Sequence, residues 1–352
     1  AYNGPLGLGW SHTYDIYLTV NNDGSIVFKD GDGNKSFYTK SGNSYVSPLG
    51  DFSTLVKNGD NSYTISYRDG LRKNFRADGK ITSMVDRFNN TLTFGYTGTD
   101  LTSITDQAWR ITNIGYDQAT TPHRISTITD PNSKVYDFSY QGNNLYRVIN
   151  PAADPAVSQE RGYWEYVYDP PGSGYLKTKR DPKGNTSTYT YYTDHRMWTA
   201  SDPNGQTRTI VYPPATGVLR TSTLTEKDNG QWLYTYDSEK GIIKEKADPN
   251  GKKTKFTYYP NGTIKSTTVP KDGAVSLTTF YTYDSYRNLL TSTEPVDLST
   301  YSLDPENVVD PTTLANIKPA IRYAYDTNNF DRITSVSDER VTPARTTTFA
   351  YT

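Results

Sequence analysis

Three histidines, His12, His123 and His195, are the only side chains whose unperturbed pKa suits proton transfer near neutrality. Serines, threonines and aspartates lie close to each, so the residue types for nucleophilic catalysis are present. The spacing for it is not. No G-x-S-x-G elbow exists to hold a serine on a sharp strand-to-helix turn. Catalysis needs a converged nucleophile, base and oxyanion site, so all three histidines are read as structural or surface residues. No H-x-x-x-H or H-E-x-x-H pair places two imidazoles on one helix face. The chain has no cysteine, which excludes disulfides and thiolate metal ligands. A phosphate-binding GxxxxGK[ST] loop is also absent. The sequence therefore assigns no catalytic, cofactor-binding or metal-binding residue, and no cofactor.

Asp30-Gly31-Asp32-Gly33-Asn34 places oxygen ligands at positions one, three and five, as a calcium loop does. Lys35 stands where an EF-hand needs glycine, and Ser41 where it needs an acid. A strand-linking turn is the expectation, with glycine supplying unusual backbone angles. Paired carboxylates could serve glycoside hydrolysis, but the acids recur at a fixed period, as turn residues should. Trp10, Trp109, Trp164, Trp198 and Trp232 could stack on sugar rings. They fall at irregular positions, and buried packing is the expectation for them.

The elements that would position these residues follow one repeated phrase. An aliphatic residue precedes an acid or amide by five positions at Ile81/Asp86, Leu101/Asp106, Ile125/Asp130, Leu145/Asn150, Leu176/Asp181, Ile243/Asp248 and Ile333/Asp338. Tyrosine follows the acid by ten positions at Tyr96, Tyr116, Tyr140, Tyr191, Tyr212, Tyr236 and Tyr258, the last but one after Glu226. The period is roughly 20–24 residues, within the range of stacked repeats. Pro131, Pro182, Pro203 and Pro249 follow the acid, and proline cannot donate to a sheet ladder. Each phrase thus reads as strand, turn, strand. Phe94/Tyr96, Phe138/Tyr140, Tyr189/Tyr191 and Phe256/Tyr258 share one face at period two. Gly95, Ser139, Thr190 and Thr257 alternate with them, so the other face should be thin, polar and insensitive to truncation. With almost no helical periodicity, no second layer is evident. Ring-to-ring stacking of neighbouring strands is the expected shield for the aromatic face.

Composition narrows the classes. The chain has 352 residues, net charge −1, 34% hydrophobic residues and 31 tyrosines. Balanced charge argues against a nucleic-acid or anionic-membrane binder, and abundant aromatics argue against disorder. No apolar run reaches the length of a membrane helix. The chain starts at Ala1 without a visible signal peptide and stops just after a strand, which reads as a piece of a longer protein.

Residues 1–76 form an opening or capping β segment, punctuated by Gly4, Pro5, Gly7, Gly9, Asp23-Gly24 and Asp69-Gly70. Residues 77–352 form the array, with insertions near 150–162 and 295–320 and one short helix expected at Thr312–Ile317. The fold class is all-β: repetitive antiparallel hairpins in a long curved or spiralling sheet.

Tyr-Asp pairs occur at Tyr116-Asp117, Tyr136-Asp137, Tyr168-Asp169, Tyr236-Asp237, Tyr283-Asp284 and Tyr325-Asp326. The opening Gly4-Pro5-Leu6-Gly7-Leu8-Gly9-Trp10-Ser11-His12-Thr13-Tyr14-Asp15 is of the GPxGxGW type. In both features the chain resembles the Rhs/YD-repeat family. The resemblance implies a β-strip spiralling into a hollow shell. In bacterial polymorphic toxins and toxin complexes such a shell encloses a C-terminal toxin, and teneurins use a similar one in adhesion. The family's autoproteolytic DPxGLxD-type motif is not found. Asp202-Pro203-Asn204-Gly205 and Asp248-Pro249-Asn250-Gly251 begin like it, but Gln206 and Lys252 stand where leucine should.

The expected function is a non-enzymatic segment of such a shell, in a larger secreted or bacterial surface protein. Its partners would be the rest of that polypeptide and its toxin cargo, with no nucleic acid and no membrane span. The alternative is an extracellular module binding carbohydrate or another surface. An enzyme on a β-propeller fits less well, because the interruptions break an even blade count.

Overall fold

The tyrosine-ending segments are strands: Thr91–Thr97, Ile111–Asp117, Val135–Gln141, Thr186–Tyr191, Gln231–Asp237 and Lys253–Tyr258. Tyr212 lies one position beyond the strand Thr207–Val211. The computed structural model describes residues 2–48, 51–152, 161–214, 217–271, 275–301, 304–308, 317–326 and 332–351. Among these there is no α-helix, only a 3₁₀ turn at Leu298–Tyr301. The protein is all-β and built of consecutive antiparallel hairpins. Most of the expected Thr312–Ile317 helix lies outside the described residues, and Ile317 itself is irregular. Most of the 150–162 insertion lies outside them too.

The chain forms two compact units, residues 1–208 and 209–352. In the first, antiparallel strands run in sequence order from Thr54–Lys57 to Met197–Ser201. In the second they run from Leu219–Thr225 onward.

One turn recurs between the strands. The Asp86 carboxylate Oδ1 accepts the N–H groups of Phe88 and Asn90, both at 2.8 Å, while Oδ2 accepts the Asn90 side-chain amide. Asp181 does the same for Lys183 and Asn185. The fourth residue of each turn has positive φ: Asn89 at 64°, Gly184 at 90°, Gly205 at 80°, Gly251 at 79°. A short acid here satisfies backbone donors that the ladder has left behind. Pro131, Pro182, Pro203 and Pro249 all sit in these turns.

A second recurrent device is a β-bulge. Gly115 pairs with Thr127 and Tyr116 with Ile125, which leaves Ser126 as the extra residue. The same shift leaves out Thr102, Tyr146, Lys177, Trp198, Lys244 and Lys265. A bulge resets the alternation of faces. It therefore lets Leu101 and Ile104, three positions apart, both be buried on one side.

The aromatic face of the first unit is not shielded by strand stacking alone, as the sequence had suggested. Residues 2–18 and the sheet Tyr17–Val20, Ile26–Lys29, Lys35–Ser41, Ser44–Val46 provide a second layer. Leu6, Ile16, Leu18, Phe28 and Tyr38 pack with Phe94, Leu101, Ile104, Ile114 and Ile125 in one cluster. Tyr14 lies against Phe94 with ring centroids 5.5 Å apart, and Phe28 meets Phe75 edge-on at 6.1 Å. Burying each such side chain contributes about 1.5–3 kcal/mol, more than pairwise ring contact supplies.

The opposite face departs from expectation in the second unit. In the first, Thr190 and Thr199 form an exposed hydroxyl pair at 2.6 Å. In the second, Thr257 is only 8% exposed and bonds Ser266, which is fully buried. The backbone explains it. Ser266 lies opposite both Thr257 and Phe280, so a large apolar ring sits on the hydroxyl face. Leu298, Val308 and Ile317, from the 295–320 insertion, cover Phe280. Lys265 Nζ ties the same insertion down through the Glu306 carbonyl at 2.7 Å.

Candidate functional site

The three histidines occupy three different settings. His12 is half-buried, desolvation holds its pKa below the usual imidazole range, and its Nδ1 accepts the Tyr14 N–H at 3.3 Å. His123 Nδ1 lies 2.7 Å from the Asp100 carboxylate. His195 occupies the positive-φ position of a turn, with φ 70°, and stacks on Tyr175 at 4.4 Å. His195 is thus held by its turn and a ring rather than by a nucleophile.

A polar cluster that sequence reasoning missed lies beneath the opening segment. Lys29 is 2% exposed and donates to Ser11 Oγ at 2.8 Å, Asp15 Oδ2 at 3.0 Å and the Asp15 carbonyl at 2.8 Å. Tyr2 donates to the same carboxylate oxygen at 2.6 Å. Its hydroxyl is pushed far above the ordinary phenol range by burial and by Asp15. The Ser11–Lys29 distance would suit a serine–lysine dyad, which requires a neutral amine. Here Nζ is instead engaged by the Asp15 carboxylate and carbonyl, at 3.0 and 2.8 Å. The arrangement is a satisfied ion-pair network fastening the segment, and the Lys29 ammonium also lies 4.7 Å from the Tyr2 ring centre.

The Asp30–Asn34 segment is a turn, closed by Gly33 N–H to the Asp30 carbonyl at 2.9 Å, with Gly33 at φ 90°. Lys73 Nζ takes both Asp30 carboxylate oxygens, at 2.9 and 3.0 Å. Among the described residues no group of three or more His, Asp or Glu side chains is placed to hold a metal ion.

The tryptophans divide. Trp10 Nε1 donates to Tyr168 Oη at 2.7 Å, and its ring meets Tyr166 edge-on at 4.7 Å. Trp164 and Trp232 lie beneath Lys179 and Lys246, at 4.5 and 4.2 Å. Trp109 and Trp198 overturn the expectation of burial, being 85% and 46% exposed. Trp109 holds the positive-φ position at the tip of its turn, φ 62°. Trp198 is the extra residue of a bulge, without a partner position across the sheet.

The recurrent tyrosines are the most regular polar feature. Tyr140 donates to the Ile125 carbonyl at 2.7 Å, Tyr116 to Leu101 at 3.2 Å, Tyr191 to Leu176 at 3.0 Å and Tyr258 to Ile243 at 2.7 Å. Each spans fifteen residues, the interval from the aliphatic to the tyrosine in the sequence phrase. Tyr168, separated by the 150–162 insertion, reaches the Leu145 carbonyl at 2.8 Å. Burial raises the pKa of these hydroxyls, which keeps them protonated donors. Such a row fixes strands and offers no converged reactive centre.

A family model described as a domain of unknown function (DUF6531) matches residues 1–38. No curated protein matches the chain. Among solved structures it is similar to a chain of the Photorhabdus luminescens Tc holotoxin pore carrying a TccC3 point mutation. Identity there is 12% over 93% of this chain and 19% of that one, with a TM-score of 0.40. It is similar to TcdB2-TccC3-TEV at 12% identity over 90% and 22%, TM-score 0.35. It is also similar to TcdB2-TccC3 without its hypervariable C-terminal region, at 13% over 95% and 19%, TM-score 0.36. The chain thus spans about a fifth of the length of each of those chains. Among the described residues no helix is long and apolar enough to cross a membrane.

Proposed function

We propose that this chain is a non-enzymatic wall segment of an Rhs/YD-repeat shell, within a larger bacterial secreted or surface protein. The shell would enclose, display or help deliver a toxin located C-terminal to it. Residues 1–76 would open the wall and 77–352 continue it. The observation that carries this reading is the tyrosine-to-carbonyl bond repeated at a fifteen-residue interval. It ties the two strands of each strand-turn-strand repeat together and spends the recurrent polar groups on the sheet itself. The GPxGxGW-type opening and the Tyr-Asp pairs support the same reading. The test is limited proteolysis of the natural, longer polypeptide. Its C-terminal portion should resist digestion while the sheet is folded and be cut once denaturant melts the sheet. Equal digestion rates in both states would sink the proposal.

A second reading, a carbohydrate- or surface-binding module, is favoured by Phe88 and Trp109. They are 65% and 85% exposed on successive turns. Replacing both by alanine should abolish glycan binding if that reading holds. An intact protein that retains no glycan on an array would remove it.

A further inference from the structure

Residues 3–10 lie on the array as a bound peptide would, and the array side is built to receive them. Arg124 is 1% exposed. Its Nη1 donates to the Gly4 carbonyl at 2.6 Å, and its Nη2 to Asn3 Oδ1 at 2.6 Å and Asn143 Oδ1 at 3.0 Å. No carboxylate shares in these bonds. A buried guanidinium is costly unless its donors are met, and two of the three oxygens meeting them belong to the segment.

The main chain reads the segment as well. Ile125 N–H donates to the Pro5 carbonyl at 2.9 Å, and Leu8 N–H to the Asn143 carbonyl at 2.9 Å. Tyr140 Oη reaches the Pro5 carbonyl at 3.3 Å. Gly7 has φ 90°, and a Cβ there would lie 2.5 Å from the Asn143 carbonyl oxygen. Only glycine fits. Trp10 closes the end through Tyr166 and Tyr168.

We propose that the face formed by Arg124–Ile125, Tyr140, Asn143–Leu145 and Tyr166–Tyr168 is a sequence-selective peptide groove. Its ligand is an Asn-Gly-Pro-Leu-Gly-Leu-Gly-Trp segment folded as a tight hairpin, Asn3–Gly4 pairing with Gly7–Leu8 around Pro5-Leu6, here supplied by the chain's own residues 3–10, with Arg124 as the selectivity residue. The segment is then a latch with an intrinsic receptor, able to leave and be replaced while the array stays folded. This goes beyond the wall reading and does not depend on it.

The test uses the full chain and a fluorescein-labelled peptide of sequence Tyr2–Ser11. Gly7→Ala weakens the internal segment by the clash just described. Arg124→Gln removes charge-assisted bonds, so amide exchange at Leu8 and Ile125 should accelerate together by about tenfold or more. Exchange across Gln231–Asp237 should stay unchanged in both variants, which also reports folding. The peptide should saturate Gly7→Ala by anisotropy and bind neither the unmodified protein nor the double variant Gly7→Ala/Arg124→Gln. Failure of the peptide to bind Gly7→Ala once exchange shows Leu8 opened would overturn the proposal. So would equal binding by the double variant, or uniform acceleration across the whole first unit in both single variants.

Discussion

The hydroxyl of Tyr140 is bonded to the carbonyl of Ile125 at 2.7 Å, while the backbone of Tyr140 faces Leu145 across a bulge. Ile125 begins the repeat that Tyr140 ends, and Leu145 begins the next. One residue therefore holds its own repeat by its side chain and the following one by its main chain. Tyr116 stands in the same relation to Leu101 and Ile125. Tyr258 does so to Ile243 and Ile264.

Tyr140→Phe keeps the ring and loses the bond. It should destabilise the protein by about 0.5–1.5 kcal/mol, the net worth of an ordinary hydrogen bond. Tyr140→Ala also loses the packed ring and should cost about 3–5 kcal/mol. Tyr258→Phe should fall at the lower end, because its bond is solvent-exposed. Denaturant melts measure all three. A Tyr140→Phe protein as stable as the parent would show that the hydroxyl only accompanies the ring.

The turn glycines permit a sharper substitution test. Gly205 and Gly251 have φ near 80° and no atom within 4 Å of an added Cβ. Backbone conformation alone should decide tolerance there. Asn89 and Asn229 already occupy the equivalent position at 64° and 65°, so Gly205→Asn should be nearly neutral. Gly205→Val should cost about 1–2 kcal/mol, the left-handed penalty for an ordinary residue, or somewhat more for a branched one. Equal melts for the Asn and Val variants would refute that account.

Local chemistry was legible in the sequence and distant chemistry was not. Strands and turns were readable because tyrosines at period two and acids before prolines act within a few residues. The bulge left a signal, the three-residue interval between Leu101 and Ile104, which no unbroken strand accommodates. Arg124 left none. Its partner Gly4 is 120 positions away, and a lone arginine before an isoleucine looks like any surface cation. Burial of Thr257 was equally invisible, since it depends on an insertion that returns over Phe280. Exposure of Trp109 was hidden by the expectation that large rings seek the core, while its turn demanded a left-handed residue at an outward tip.

The two threonine environments should separate on truncation. Thr190→Ala removes an exposed hydroxyl pair and should change stability by less than about 0.5 kcal/mol. Thr257→Ala strands the buried Ser266 hydroxyl and should cost about 1–3 kcal/mol. Paired melts decide. Equal small effects would mean that solvent reaches Ser266 beneath the insertion.

Acid should weaken the turns. Asp86, Asp181 and Asp338 are held below the usual carboxylate range, the first two chiefly by the side-chain amides of Asn90 and Asn185. For Asp338 the main cause is the Arg340 side chain, and the value reaches about 2. A depressed folded pKa contributes stability above the unfolded value of about 3.9, lost as pH falls through the folded value. The melting temperature should therefore drop between about pH 4 and pH 2. Asp181→Asn should cost stability at neutral pH and converge on the parent as the carboxylate protonates. A constant gap from pH 7 to pH 2 would exclude the charge as the cause.

The alkaline limit should come from the tyrosines, with the opposite sign. Burial raises Tyr38, Tyr96 and Tyr283 to about 12, and raises Tyr116, Tyr140 and Tyr168 further. In each the folded state keeps a proton that the unfolded chain releases near about pH 10. The associated stability is fully present below that pH and is lost as pH rises through the folded values. A tyrosinate absorbance titration should thus show two phases. Exposed rings ionise first, near about pH 10. The buried rings follow in a cooperative step that coincides with loss of the β-sheet dichroism, because a tyrosinate cannot donate to the Ile125 or Leu101 carbonyl. Tyr140→Phe should take one ring out of that second phase and shift the step to lower pH by weakening the sheet. One smooth transition for every tyrosine, with the dichroism unchanged, would show that the staple hydroxyls are open to solvent.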